Sequence, residues 1–427
     1  MRRLRVVLSC YACEPNRGSE PGIGWAWALG MAKRHETYVL TRGHKRQIIE
    51  AELARLSLPE NERPVFLYVD VAPFFCRLKK KGAFFSKLYY FLWQLKARQV
   101  LNAQQLKADI VHHITFCSFA FVGFWWHRKE AVVIGPLGGT SVCRRSYLRL
   151  FPWKQRIKEF ARVFSRRYGW RLNPFWMISR HYADKLFFVD PLMTEKMGKG
   201  PSMTETLLDV GVPKLLEDSA VARVPEKRNQ FAWAGMLEPH KGFEIAVRAF
   251  QRAFPVEDAR PRLVVCGEGY ERPKYERLVR DLGLSDSVIF CGWLPQNDLW
   301  QVMRESKGLV FSSVRDTVGS VLVETLSLQT PVICFRHQGA ALVTDDTCAI
   351  RIEPTSWKAS IDGFAKAMCR LHENPELVLQ MGKKGRERVL ENFAWEKKFA
   401  KMDKCYRKLV SQREETKKAG SYCAGHR

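Results

Sequence analysis

One stretch, Lys307 to Arg336, constrains the fold more than any other. Gly308–Ser313 is an apolar run of the length of a buried strand. It meets Arg315-Asp316-Thr317-Val318-Gly319-Ser320, after which Val321–Leu328 carries apolar residues at helical spacing. Gln329-Thr330-Pro331 stops that helix, and Val332–Phe335 reads as a second buried strand. The result is a strand–loop–helix–strand unit whose turn carries a carboxylate, Asp316, and a glycine, Gly319, and whose helix carries Glu324. A helix start entered through glycine binds anions, because its backbone N–H groups point outward and the macrodipole favours negative charge. A carboxylate one turn further in suits neutral hydroxyls such as a ribose diol, since its oxygens only accept hydrogen bonds. An ordinary βαβ unit with a solvated Asp and Glu carries the same letters, and both readings stand at this point.

The same punctuation occurs twice along the chain. Leu4–Ser9 is strand-like, Gly18-Ser19-Glu20-Pro21-Gly22 opens a helix at about Gly24–Lys33, and Thr37–Thr41 is the next strand. Val65–Val69, Ile110–His112 and Ala131–Ile134 add strands, Gly135–Gly139 reads as a glycine-rich loop, and Phe187–Val189 closes this half. The polar Glu217–Asn229 stretch marks a linker. A second set follows: strand Gln230–Trp233, loop Gly235–His240, helix Lys241–Phe254, strand Arg262–Cys266 ending in Gly267-Glu268-Gly269, strand Val288–Cys291, and then the Lys307–Phe335 unit. Phe364–His372, Glu376–Asn392 and Ala394–Val410 read as helices, and the polar tail from Ser411 as disordered. The expected domains are therefore residues 1–215, 216–393, a closing helix at 394–410 and a tail at 411–427. With 427 residues and 46% hydrophobic content the chain can bury both cores. The fold class is α/β, two doubly wound Rossmann-like domains.

In open α/β sheets ligands bind at the carboxyl ends of strands. Glycine-bearing loops sit there at Gly18–Gly22, Gly235–Gly242, Gly267–Gly269 and Asp316–Ser320. Lys241-Gly242 at a helix start can anchor a phosphate, or can be a solvated lysine. Gly267-Glu268-Gly269 has Arg272 where the dinucleotide fingerprint has its third glycine, which disfavours a nicotinamide cofactor. His113, after His112 at a strand end, either faces a cleft or is a satisfied core histidine. Cys10 and Cys13 form a C-x-x-C followed by a loop, with no second pair for zinc, so neither a redox nor a metal role is expected. Together these loops describe a cleft for a diphosphate and a sugar-like polyol.

The formal charge of +26 implies anionic company. No acidic residue occurs from Val71 to Ala108, and Glu159 is alone among the basic residues from Arg144 to Arg180. Aromatics interleave both stretches, either as domain core or as the apolar side of basic helices lying on an anionic membrane surface. No nucleic-acid motif accompanies them. Met1–Cys10 mimics a signal peptide, but its apolar run is short, and the longest apolar stretch, Ile114–Trp126, is under the roughly 20 residues of a membrane span.

At this point the chain resembles a family. Lys241-Gly242, Gly267-Glu268-Gly269, Phe290–Trp293 and Asp316-x7-Glu324 followed by Thr330-Pro331-Val332 look like the C-terminal domain of the family 4 retaining glycosyltransferases, of the GT-B fold. Tyr11–Trp27, Val111-His112-His113 and Gly135–Gly139 resemble its bacterial surface-polysaccharide branch. The resemblance implies two domains facing across a cleft. It implies Glu324 on the nucleotide ribose, Lys241 on the diphosphate, Asp316 on donor-sugar hydroxyls, Gly319 and Ser320 presenting N–H groups, and Gly18-Ser19 closing over the donor. It also implies Gly267 and Gly269 in the donor-binding loops. Many relatives keep a histidine where Gly135-Pro136 stands here, and His113 is the candidate to substitute for it. Met236 stands where an arginine usually pairs with the lysine, and Asp316 is one methylene shorter than the usual Glu. The expected activity is sugar transfer from a nucleotide diphosphate to a glycan or lipid-linked acceptor. It would need no cofactor and no metal, and would work in the cytoplasm at the inner face of the membrane. The alternatives are a nucleotide-sugar epimerase on the same fold, or a degenerate transferase that only binds polyanions or membrane.

Overall fold

The computed structural model describes residues 2–118, 122–126, 128–139, 141–197, 203–218, 227–257 and 260–424. Short apolar runs alternate with helices, and each run becomes a strand in one of two all-parallel sheets. The first contains β1 (Arg5–Ser9), β2 (Glu36–Arg42), β3 (Val65–Val69), β4 (Ile110–His113), β5 (Ala131–Leu137), β6 (Lys185–Phe188) and β7 (Met203–Thr206), ordered 3-2-1-4-5-6-7. The second contains β8 (Gln230–Ala234), β9 (Arg262–Cys266), β10 (Val288–Gly292), β11 (Leu309–Phe311), β12 (Val332–Phe335) and β13 (Ala349–Ile352), ordered 10-9-8-11-12-13. Strand pairing is parallel throughout both sheets, so helices must cover both faces. Both are doubly wound, as the periodicity indicates.

The chain divides into two units, but not at residue 216. Unit 1 comprises Met1–Gly139, Tyr168–Asp209 and Trp395–Arg427, and unit 2 comprises Thr140–Arg167 and Val210–Ala394. The 141–167 segment belongs with unit 2 because its aromatics pack there. Tyr147 is buried against Phe335, its hydroxyl lies 2.7 Å from Ser360 Oγ, and Leu150 and Phe151 enter the same core. Unit 1 in turn is closed by the helix Trp395–Ala424, which is longer than 394–410. Its Phe399 and Tyr406 fill one face of the unit 1 core beside Trp27. The linker residues 219–226 and the last tail residues 425–427 lie outside the described residues.

Two local expectations also change, and two strands appear that the sequence did not announce. The first helix begins at Ser19, not near Gly24, because Pro21 sits in its first turn, where no backbone N–H is needed. Gly135-Pro136-Leu137 continues β5, wholly buried, instead of forming a loop. Strands β7 and β13 carry no apolar run, since both are edge strands with partly exposed residues. The aromatics of the basic stretches divide as well. Tyr89, Tyr90 and Trp93 are core around Tyr11, whereas Phe74, Phe84 and the helix Trp153–Phe164 show theirs to solvent.

Candidate functional site

The second sheet reverses its winding between β8 and β11, so the loops leaving these two strands diverge and leave a crevice. Both loops are tied tightly at their bases. The β8 loop ends in a short turn, Pro239–Lys241, and Gly242 follows with φ 66°. A Cβ on Gly242 would lie 2.1 Å from the Ser312 carbonyl oxygen, so only glycine lets the two loops touch here. Val314 N–H donates to the His240 carbonyl at 2.9 Å, and Ser312 Oγ donates to that of Lys241 at 3.2 Å. This lacing brings Lys241 Nζ to 2.5 Å from Asp316 Oδ2.

Asp316 is itself positioned from several sides. Its N–H donates to Gln338 Oε1 at 2.9 Å, its carbonyl accepts from Ser141 Oγ at 2.7 Å, and its Oδ1 accepts the Thr317 N–H at 3.0 Å. The helix Ser320–Ser327 starts at Gly319, and no side chain caps it. One turn in, Glu324 is buried, and its Oε2 accepts from Trp300 Nε1 at 2.8 Å. Burial raises its pKa, against hydrogen bonds from Trp300, Ser320 and Gln296 that lower it.

The glycines of the β9 loop serve the β8 loop. A Cβ at Gly267 would sit 1.9 Å from the Gly235 oxygen, and one at Gly269 would sit 2.4 Å from the Leu237 oxygen. Leu237 N–H reaches the Glu268 carbonyl at 2.9 Å. Their bare backbones support the loop that carries Met236 and Lys241.

A second charge cluster adjoins the pair. Glu159, buried on the helix Trp153–Phe164, accepts from both Arg162 and Arg315, the residue before Asp316. His240 feels Lys241, Asp316, Arg162 and Glu159, and burial first, then Lys241, brings its pKa down to about 4. It is therefore neutral at pH 7. Burial likewise lowers His337, whose Nε2 lies 3.2 Å from the Ser313 oxygen. Among the described residues no group of three His, Cys, Asp or Glu side chains could hold a metal ion.

In unit 1 the corresponding switch point lies between β1 and β4. Gly18 is exposed, with open space where a Cβ would be, and Ser19 takes φ 58°. Glu20 accepts the Phe116 N–H at 3.2 Å, joining the β1 and β4 loops. Burial pushes its carboxyl up to about 7, with Asp209 adding to the rise. Stability should then fall as pH rises from about 4.5 to about 7, because the unfolded chain releases this proton first. Glu20→Gln should flatten that slope and raise the melting temperature at pH 8, as read by thermal denaturation across pH. An unchanged slope would mean that Glu20 ionises normally.

The structure places His113 in the core of unit 1. It is wholly buried, with Nδ1 2.9 Å from Ser9 Oγ and Nε2 3.1 Å from Tyr90 OH. Burial holds it at about 3, so it is a neutral core histidine, and His112 is another, held between Tyr406 OH at 2.6 Å and the Gly135 oxygen at 2.7 Å. The sequence reading also missed Arg315, Glu159, Gln338 and Trp300. Glu159 had a signal, as the one acid in a long basic run. Trp300 had none, because nothing in the sequence pairs it with a residue 24 positions away.

Residues 216–388 match the family model of glycosyl transferases group 1. That match spans the second sheet and all the unit 2 site residues above except Ser141, Glu159 and Arg162. A D-inositol 3-phosphate glycosyltransferase of Corynebacterium kroppenstedtii is 28% identical over 182 residues, 40% of this chain and 39% of that protein. The lipopolysaccharide core biosynthesis glycosyltransferase LpsE of Rhizobium meliloti is 27% identical over 163 residues, 38% of this chain and 45% of that protein. The match thus spans less than half the length of either relative. Among solved structures, sucrose-phosphate synthase from Thermosynechococcus elongatus superposes with a TM-score of 0.64 at 18% identity, covering 96% of this chain and all of that one. The likeness shows the GT-B fold.

Proposed function

We propose that this chain moves a sugar from a nucleotide diphosphate to a glycan or lipid-linked acceptor in surface polysaccharide synthesis. The observation that carries the reading is the Lys241–Asp316 pair at the switch point of the second sheet, beside the open helix start at Gly319. The group 1 match over the same loops supports it, as does the lipopolysaccharide role in the name of LpsE.

In this reading Glu324 accepts hydrogen bonds from the ribose, and Gly319 and Ser320 turn N–H groups to the phosphates. Breaking the bond between the sugar and the diphosphate leaves negative charge on the leaving group. Lys241 meets that charge by exchanging Asp316 for phosphate oxygens, which frees the Asp316 carboxylate for sugar hydroxyls. Retention of configuration follows the family resemblance, with no protein nucleophile assigned. Cation and backbone donors carry this scheme without a metal, so transfer should survive EDTA. The basic, aromatic surface fits a place at the inner face of a membrane, where a lipid-linked acceptor lies.

A panel of nucleotide sugars tested by thermal shift checks the reading. The right donor at one hundred times its Kd adds about 2.7 kcal/mol by mass action. Glu324→Gln should keep the fold and weaken that donor by roughly tenfold or more, since hydrogen bonds to a charged group are worth about 1.5–3 kcal/mol. If no nucleotide sugar raises the melting point, the proposal fails. If the variant binds as well as the parent, Glu324 is not the ribose ligand.

A further inference from the structure

The helix Trp153–Phe164 has two faces with opposite duties. Trp153, Ile157, Phe160 and Phe164 are 66%, 60%, 53% and 64% exposed. At about 100° per residue they fall within a stripe of about 60° on the helix. Lys154 and Lys158 flank the stripe on one side and Arg156 on the other, all exposed. Glu159 and Gln155 point the opposite way: Glu159 is buried on Arg315 and Arg162, and Gln155 Nε2 donates to Tyr270 OH at 3.2 Å. The helix is thus fixed to unit 2 by polar contacts while its large apolar side chains stand in water, the reverse of a core-facing helix.

We propose that the Trp153–Phe164 helix is a membrane-docking element of unit 2. Its stripe enters the headgroup boundary of an anionic bilayer, and its lysines and Arg156 lie on lipid phosphates. The occupant is argued from charge: cationic residues border the apolar stripe on both sides, on a chain of net charge +26. The proposal deepens the membrane-side reading above and rests on it for its purpose, while the stripe itself stands on geometry. Because Glu159 holds Arg315, the docked helix is tied to the residue next to Asp316, and the candidate donor loop is anchored to the same surface.

The full chain is floated with phosphatidylcholine vesicles, with and without phosphatidylglycerol, beside the double variant Trp153→Glu/Phe160→Glu. The parent should float with the anionic vesicles at low salt and be released by high salt, and the variant should lose binding about tenfold or more. Its melting temperature and its thermal shift with nucleotide sugar should not change, since both side chains face solvent. A second pair, Lys154→Gln/Lys158→Gln, should weaken anionic binding severalfold with the stripe intact. If the double variant floats like the parent, this helix is not the docking element, even if the membrane reading survives. A parent that ignores anionic vesicles, or that floats equally with neutral ones, overturns the proposal. So does a lipid-free dimer that the double variant splits, because a second copy then covers the stripe. Loss of flotation by the variant without any nucleotide-sugar shift in the parent keeps the docking helix and rejects the transferase reading.

Discussion

Lys241→Ala should lower turnover by about two orders of magnitude while changing the Michaelis constant for donor only a fewfold. The asymmetry follows from where the lysine sits. Before reaction its Nζ is satisfied by Asp316 at 2.5 Å, so ground-state binding gains little by moving it to the phosphates. As the sugar departs, the diphosphate gains negative charge, and the exchange of partners becomes favourable in the transition state. Met236 offers no second cation in the β8 loop, so Lys241 carries that loop's share alone. Steady-state kinetics decide the matter. A raised Michaelis constant at unchanged turnover would make Lys241 a binding residue only.

Gly267→Ala should be the most damaging of the conservative changes in this region. The new methyl would lie 1.9 Å from the Gly235 oxygen, at a backbone φ of 144° that side chains rarely adopt. Something must move, and what moves is the β8 loop, which is held by Gly235 N–H to the Cys266 oxygen at 3.0 Å and Leu237 N–H to the Glu268 oxygen at 2.9 Å. Forced overpacking with backbone strain costs about 2–4 kcal/mol. Donor affinity should fall along with stability, because Lys241 rides on the displaced loop. Gly18→Ala is the control: its φ is −77° and its Cβ meets open space, so stability should hold to within about 0.5 kcal/mol. A Gly267→Ala protein with the parent's melting temperature would show that the two loops are not in contact.

Strand apolarity and glycine punctuation made both sheets legible, and Arg262–Cys266 and Val332–Phe335 match their sequence bounds. The loops that carry Lys241, Asp316 and Glu324 were legible for the same reason. What escaped depended on distance along the chain. The allegiance of 141–167 to unit 2 is decided by Tyr147 meeting Phe335 and Ser360, and no local pattern announces that. His113 was ambiguous because a strand-end histidine can face a ligand or a neighbour, and here Ser9 and Tyr90 occupy both nitrogens. Alternation of basic and aromatic residues could not separate Trp93, which is core, from Trp153, which is not. The lone Glu159 could have made that separation, since an acid inside a basic run must face its own partners.

Unit 1 is assembled from segments on both sides of unit 2, whereas unit 2 ends at Ala394. On the ribosome unit 2 therefore has all its residues before unit 1 does. Until Trp395–Ala424 is made, Trp27 lacks Phe399 and His112 lacks the Tyr406 hydroxyl. The first half synthesised is the last to be finished, and in the interval its uncovered core is the surface a chaperone would meet. A nonsense mutation near residue 395 should accordingly spare the fold of the later half and cost the earlier one.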